Sequence, residues 1–332
     1  MALQHTRQPV VSVITPAYNA APFIAEAIAS ILKQTFAEFE MIIVDDGSDD
    51  QTAEIVASFN DDRIRFGRQK RSGVAAARNH AIGLSRGLYL AFHDADDMAF
   101  PERLQKQMEY FAHHPEIGLV GGAAEVWVDR TPSGEYYRYP TEPAHLAFEM
   151  LFENYLVHSS VMLRRRVIDA VGLFTLLESR RHEDYELWSR VSRRFAMANL
   201  PDVLTIYRNH PGSVCGTTDF EANGIMLASE NIAYAAGHRK VKPAHMALAS
   251  LMRGHDPKIA AIQYPDLQQL LLWIAYRLAR RFHAPVAQFA PRFHARQEIL
   301  RHQWGRFYPL PPAKPLELSI PWRRRLAKIF RP

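Results

Sequence analysis

The 332 residues include a single cysteine, Cys215, so no disulfide can form within the chain and its stability must come from a packed core. No apolar run reaches the roughly 18 residues that a membrane span requires. The first residues, MALQHTRQP, lead straight into an apolar strand without the hydrophobic core of a signal peptide. Internal repeats and low-complexity stretches are lacking as well. Neither sign of charge dominates: 40 Lys and Arg against 35 Asp and Glu leave a net charge of +5, much of it near the C-terminus. That balance alone does not choose between a phosphate-bearing substrate, nucleic acid and anionic lipid. With ordinary apolar and charged fractions, the expectation is a globular chain in a reducing compartment, the cytoplasm.

What the sequence does have is concentrated in residues 88–101, LYLAFHDADDMAFP. A short apolar run ends in a burst of carboxylates, which reads as a buried strand delivering Asp94, Asp96 and Asp97 to its C-terminal end. Ligands of open parallel sheets bind at that end of the strands. Crowded carboxylates repel unless a cation or shared protons compensate, and a hard ion such as Mg²⁺ or Mn²⁺ suits Asp oxygens. The plain alternative is a solvated loop capping the next helix.

Apolar runs at residues 10–15, 41–44 and 64–66 alternate with helical spacing at 22–34, 50–59 and 73–85 ahead of that strand. Strand alternating with helix predicts an α/β fold with a mostly parallel sheet. An amphipathic helix follows Pro101, with Leu104, Met108 and Phe111 on one stripe. Two strands are expected at 117–120 and 124–128, then an exposed loop or loose hairpin to Pro143. Further expected elements are a strand over 158–163, a short basic helix stopped by Gly172, a helix from Glu183 and a last strand over 203–208. Beyond it the chain turns Ala- and Leu-rich and helical, which predicts a catalytic domain over 1–214 and a helical extension over 215–332.

VSVITPAYNAAPFIAEAIASILKQTF, IIVDDGSDDQT and GVAAARNHAIGLSRGLYLAFHDADDMAFPERL together resemble family 2 inverting glycosyltransferases of GT-A fold. HSSVMLRRRVIDAVGLF, HEDYELWSR and YRNHPGS extend the resemblance, in order, to about residue 213. It implies a Rossmann-like nucleotide-sugar-binding domain and a transfer from a nucleotide sugar, with a UDP-sugar as first expectation, to a saccharide or lipid-linked acceptor of the cell surface. By the same resemblance Pro16, Ala17, Tyr18 and Asp45 hold base and ribose, Arg78 lies near the base, and Asp94 serves ribose and metal. Asp96 is then the direct ligand of the divalent cation, with Arg208 or His210 at the metal or diphosphate. Asp46 and Ser48 shape their turn, and Asp97 caps a helix. An Arg78 that only pairs with Asp45 or Asp94 is the structural alternative. Inverting displacement needs one base, for which Asp184 is the choice, with Glu183 in support. His158 and Ser159 match a stretch on the acceptor side, and Trp188 reads as core.

Two other readings compete. A sugar nucleotidyltransferase shares such a sheet, but the Gly-rich, basic loop expected after its first strand is replaced here by Pro16-Ala17-Tyr18-Asn19. A catalytically silent binding module would not need Asp94, Asp96 and Asp184 together. In the extension, residues 267–281 carry an apolar face that packs on the catalytic domain, a dimer partner or a membrane. Residues 321–332, PWRRRLAKIFRP, interleave basic and apolar side chains, which fits an anionic membrane surface and peripheral attachment at the inner face of the cell membrane. Nucleic acid is not expected as a partner, since no reading motif is present.

Overall fold

The computed structural model describes residues 8–176, 182–211, 218–257 and 262–310. The chain forms two compact units, one drawn from Met1–Thr141 and Leu156–Cys215, the other from Glu142–Tyr155 and Gly216–Pro332.

The first unit is built on one sheet. β1 (Val11–Ala17), β2 (Phe39–Asp45), β3 (Ile64–Arg68) and β4 (Tyr89–Phe92) run parallel in the order β3-β2-β1-β4. Both β1 and β2 are buried at every position, so they read as near-continuous apolar runs, as strands covered on both faces do. The helices between them are α1 (Ile24–Leu32), α2 (Thr52–Ala57) and α3 (Val74–Leu84). α1 buries Ile24, Ala27, Ile28 and Ile31, a stripe at helical spacing, against Val11, Val13 and Ala91 of the sheet. Pro16 continues β1 beyond the expected end at Thr15, pairing with Val44, whereas the β4 side of the ladder stops at Ile14. A proline is tolerated there because that side needs no donor.

The sheet continues through β8 (Met162–Arg164), β6 (Ile117–Val128), β9 (Ala196–Asn209) and β5 (Met98–Ala99), with β7 (Thr131–Tyr137) paired to β6. β8, β5 and β7 are antiparallel to their neighbours, while β6 and β9 run parallel. The expected pair of strands over 117–128 is one strand that passes through Gly121 and Gly122. Added Cβ atoms at these glycines would strike the side chains of Asn199 and Leu204, so the residues mark close packing between strands and not a turn. The strand expected over 158–163 is replaced by a 3-10 turn at His158–Ser160 ahead of the short β8. The last strand begins seven residues early, at Ala196. α4 (Arg103–His113), α6 (Arg165–Val171) and α7 (Glu183–Arg194) complete the unit, and Gly172 ends α6 at φ +86°.

The second unit is helical. α5 (Pro143–Glu149) shares a core with α8 (Thr218–Ala236), α9 (Pro243–Met252), α10 (Tyr264–Arg281) and α11 (Ala290–Phe307). Leu267, Leu270, Leu271, Ile274 and Leu278 of α10 are buried in that core, which accounts for the apolar face over 267–281. Buried Glu149 of α5 is paired by Arg296 and Arg292 of α11, so residues 142–155 belong with these helices. Residues 321–332 lie outside the described residues. Among the described residues no helix is long and apolar enough to cross a membrane.

Gly87 touches the floor of the sheet, its N–H donating to Ser12 Oγ at 2.8 Å. A Cβ there would lie 2.6 Å from the backbone nitrogen of Ser12 and 2.8 Å from the Val11 carbonyl carbon. Gly87→Ala is expected to destabilise the protein by about 1–3 kcal/mol in urea unfolding, because backbone has to move. A variant as stable as the parent would show that this approach costs nothing to relax.

Candidate active site

The C-terminal ends of β1, β2 and β4 converge, and each ends in polar residues. At β2, Asp45 is fully buried; one oxygen accepts from Ser48 N at 2.9 Å, and the other faces Arg68 Nε at 3.0 Å. Asp46 accepts from Gln69 Nε2, Ser72 N and Gly73 N, each at 2.8 Å, and so ties residues 69–73 to the turn. Ser48 Oγ accepts from Asn19 N at 2.9 Å, joining the β2 turn to the end of β1. Pro16 and Ala17 lie in the strand itself, and Ala17 O accepts from Asp46 N at 2.8 Å. Tyr18, 42% exposed, has the Arg71 guanidinium over its ring. Neither Arg68 nor Arg71 was singled out from the sequence; both lie in the basic run RQKR, whose signal was one of charge alone.

β4 delivers Asp94, Asp96 and Asp97 to the same edge. Burial works to raise the Asp94 carboxyl, but Arg78 and, less strongly, the His158 ring hold it at about 2. Asp96 is pushed up by burial and by the Asp94 charge, with His210 opposing; His210 Nε2 lies 3.1 Å from Asp96 Oδ2. Asp97 is raised well above the usual carboxylate range by burial, then by Asp96 and Asp94, and it accepts from Arg208 N at 2.8 Å. Its bond holds β9 against the acidic turn. The Arg208 side chain turns to Glu26 of α1, Nη2 to Oε2 2.7 Å, and lies over the Phe23 ring. Beneath the acids Arg103, fully buried in α4, donates to Phe92 O at 2.8 Å, and burial lowers it to about 9 despite Asp97 and Asp94. Its place in PERL, directly after the acids, was the available signal.

Arg78 of α3 joins this edge to α7. Its guanidinium donates to Asp94 Oδ1 at 2.9 Å and to Glu183 Oε1 at 2.7 Å, and it is 5% exposed. It therefore pairs with Asp94, whereas Asp45 is served by Arg68. Burial alone would lower Arg78, but Asp94 and Glu183 hold it above its ordinary value. Burial pushes Glu183 up, and Arg78 more than offsets this, leaving it below the usual range. Asp184, one residue on, is raised to about 7 by burial and by the Glu183 charge. α7 starts from His182 at φ +79°, a left-handed conformation that aims its first turn. Trp188 of α7 is core, fully buried against Phe92, Phe174 and His158. His158 Nε2 stands 3.9 Å from Asp94 Oδ1, and burial lowers the imidazole to about 4. Ser159 Oγ accepts from Asp94 N at 3.1 Å.

Among the described residues no three His, Cys, Asp or Glu side chains form a group that would enclose a metal ion. Asp96 and His210 do present an oxygen and a nitrogen side by side, in a region where carboxylates raise one another. That donor set fits an ion such as Mg²⁺ or Mn²⁺, which is commonly held by one or two side chains plus substrate phosphates and water.

Residues 12–172 match the glycosyl transferase family 2 domain. The chain is 31% identical over 239 residues to an uncharacterized glycosyltransferase of Haemophilus influenzae, covering 68% of this chain and 74% of that protein. The chain belongs to glycosyltransferase family 2. It is also 32% identical over 206 residues to a putative teichuronic acid biosynthesis glycosyltransferase of Bacillus subtilis, covering 60% of this chain and 79% of that one. Its fold is GT-A-like: S. aureus TarS 1–349 in complex with UDP-GlcNAc superposes with a TM-score of 0.58 at 19% identity, over 89% of each chain. A mannosyltransferase of Pyrobaculum calidifontis in complex with GDP-Man and Mn²⁺ gives 0.53 at 18% identity, over 90% of this chain and 86% of that chain. The expected family and fold are thus borne out.

The Arg78 bridge makes a signed prediction. Asp94, held at about 2 against an ordinary 3.8, contributes stability that is present above 3.8 and lost as pH falls through 2. Arg78→Met removes the cation behind that shift, so the variant should lose about 3 kcal/mol or more at pH 7.5, because a buried pair is broken from one side. At pH 4 the orphaned acids protonate and the loss should shrink. Equal losses in urea unfolding at the two pH values would show that the charges do not couple to folding.

Proposed function

We propose that the protein transfers a sugar from a UDP-sugar to a hydroxyl of a saccharide or lipid-linked acceptor, with inversion, in bacterial cell-surface glycan synthesis. The observation that carries this is Arg78, which brings the first turn of α7 up to Asp94, where burial and the Glu183 charge raise Asp184 to about 7. A base is best matched to neutral pH when its own value lies there. Glu183 has its oxygen committed to Arg78, so Asp184 is the base and Glu183 a positioning residue.

On the donor side, Pro16, Ala17 and Tyr18 with Asp45 form the wall for base and ribose. Asp45 accepts from a pyrimidine N–H once Arg68 turns aside, and Asp94 reaches the ribose. Asp96 and His210 would hold a divalent cation, and Arg208 orders this edge through its backbone bond to Asp97. When bound, the ion neutralises charge that builds on the departing diphosphate. The acceptor oxygen gives its proton to the Asp184 carboxylate as it attacks the anomeric carbon, and the bond from that carbon to the diphosphate breaks. No enzyme nucleophile is needed. The names of relatives support the donor and the setting: one is a UDP-Glc:α-D-GlcNAc-diphosphoundecaprenol β-1,3-glucosyltransferase of Escherichia coli, 31% identical over 181 residues.

Calorimetric titration with UDP and GDP, each with Mn²⁺ and with EDTA, tests the donor site. UDP should bind with Mn²⁺ and lose about tenfold or more in affinity with EDTA or in Asp96→Ala, a loss of about 1.4 kcal/mol. Binding of neither nucleotide would sink the donor assignment, and binding of GDP alone would replace its base.

Asp184→Asn should keep UDP affinity and lose about 10²–10⁴-fold in kcat. Parent kcat/KM should fall tenfold per pH unit below about 7, as the base becomes protonated. A profile flat from pH 5 to 8, or an active Asp184→Asn, would move the base elsewhere.

A further inference from the structure

β9 divides the neighbourhood of the site between the two faces of the sheet. Arg208 reaches Glu26 of α1, so it lies on the face where Ala91 packs with Ile24 and Ile28. Side chains alternate along a strand, so Tyr207 lies on the other face, where Phe92 meets Trp188 of α7 with ring centroids 5.5 Å apart. That is the face of the helix bearing Glu183 and Asp184. The aromatic surface begun by Tyr207 does not end there. Tyr137, paired with Ala124 at the end of the hairpin, has its ring 5.6 Å from that of Tyr207. Tyr139 follows at 6.2 Å from Tyr137, the two ring planes within 8° of each other. Tyr137 is 36% exposed, and every residue of β7 is exposed.

Core tyrosines would be buried, and a surface shaped for a polyanion would carry cations among the rings. Tyr137 stands exposed, Tyr139 and Tyr207 are half-buried, and among the described residues the nearby Arg138 turns to Tyr136 on the opposite face, 5.3 Å from that ring. A pyranose is chemically complementary to such a row. One face of the sugar presents C–H groups that pack on an aromatic ring, while its hydroxyls stay at the edge, where tyrosine also carries its O–H. Aromatic side chains with few torsions also lose little entropy on binding. Tyr207 stands three residues before His210, about 10 Å of extended chain, so the row starts one or two sugar lengths from the acidic edge.

We propose that Tyr207, Tyr137 and Tyr139 form the platform on which a pyranose-containing acceptor chain lies as its terminal hydroxyl enters the site. This rests on the glycosyl-transfer reading and deepens it by naming the acceptor as an oligosaccharide held beyond its reacting residue.

Saturation-transfer NMR on the full chain, with maltotetraose and tetra-N-acetylchitotetraose as probes and UDP titrated in parallel, tests the platform. The parent should transfer saturation to the pyranose protons of at least one probe. Tyr137→Ala/Tyr139→Ala should weaken that transfer by about threefold or more, with UDP affinity unchanged as proof of fold, whereas Tyr137→Phe/Tyr139→Phe should retain it. The single Tyr137→Ala variant, at an exposed strand position, gives the same readout with less perturbation. No transfer to either probe on the parent, or equal transfer in the alanine variants, would overturn the proposal. Oligosaccharide binding by a parent that takes no UDP would support the platform while striking the donor assignment.

Discussion

A guanidinium with almost no exposure has to be neutralised where it stands, and Arg78 is neutralised by two carboxylates from distant parts of the chain. A buried cation left alone costs several kcal/mol, so α3, the end of β4 and the first turn of α7 are held to one another by the need to avoid it. The same contact orders the acids. Asp94 is kept ionised and Glu183 is kept ionised, and the charge they retain falls on Asp184, which has no equal share of the cation. Burial is the larger cause of the rise at Asp184, the Glu183 charge adds to it, and Arg78 itself pulls the other way.

A second constraint comes from the acidic turn itself. Asp94, Asp96 and Asp97 are crowded, and burial together with their mutual repulsion pushes the last two towards protonation. Such groups titrate as a set, so proton uptake at one changes the others. Arg103 below supplies only part of the balancing charge, since it is itself depressed by burial. A carboxylate-rich turn of this kind gains from any cation that neutralises it.

The apolar runs that became β1, β2 and β4, and the acids at their ends, were legible because buried parallel strands admit little else. The long β6 was not, since Gly121 and Gly122 signal a turn in isolation and only the facing Asn199 and Leu204 side chains reveal why they are there. His158–Ser160 reads as strand by its apolar neighbours, yet Ser159 and Ser160 use their hydroxyls to bond backbone at Asp94 and Gly122, which favours a tight turn. Residues 142–155 gave no sign that they pack with the C-terminal helices, because the partner of Glu149 lies 147 residues away. Arg78 was legible as a cation near the site, and its pairing with Asp94 stood among the alternatives. The link to Glu183 was not, because a sequence separation of 105 residues carries no local pattern.

The alternation of β9 ties these features together. Arg208 of that strand faces α1 and pairs with Glu26, and the preceding residue, Tyr207, faces the other way and meets Tyr137. A strand has a period of two, so adjacent positions cannot serve the same face. Arg208 and Tyr207 are therefore kept on opposite faces by backbone geometry alone. The backbone bond from Arg208 N to Asp97 then fixes how far the strand can shift relative to the acids. A shift of β9 that moved Tyr207 would have to break that bond, so the place of Tyr207 relative to the acids is set by the sheet and not by a loop.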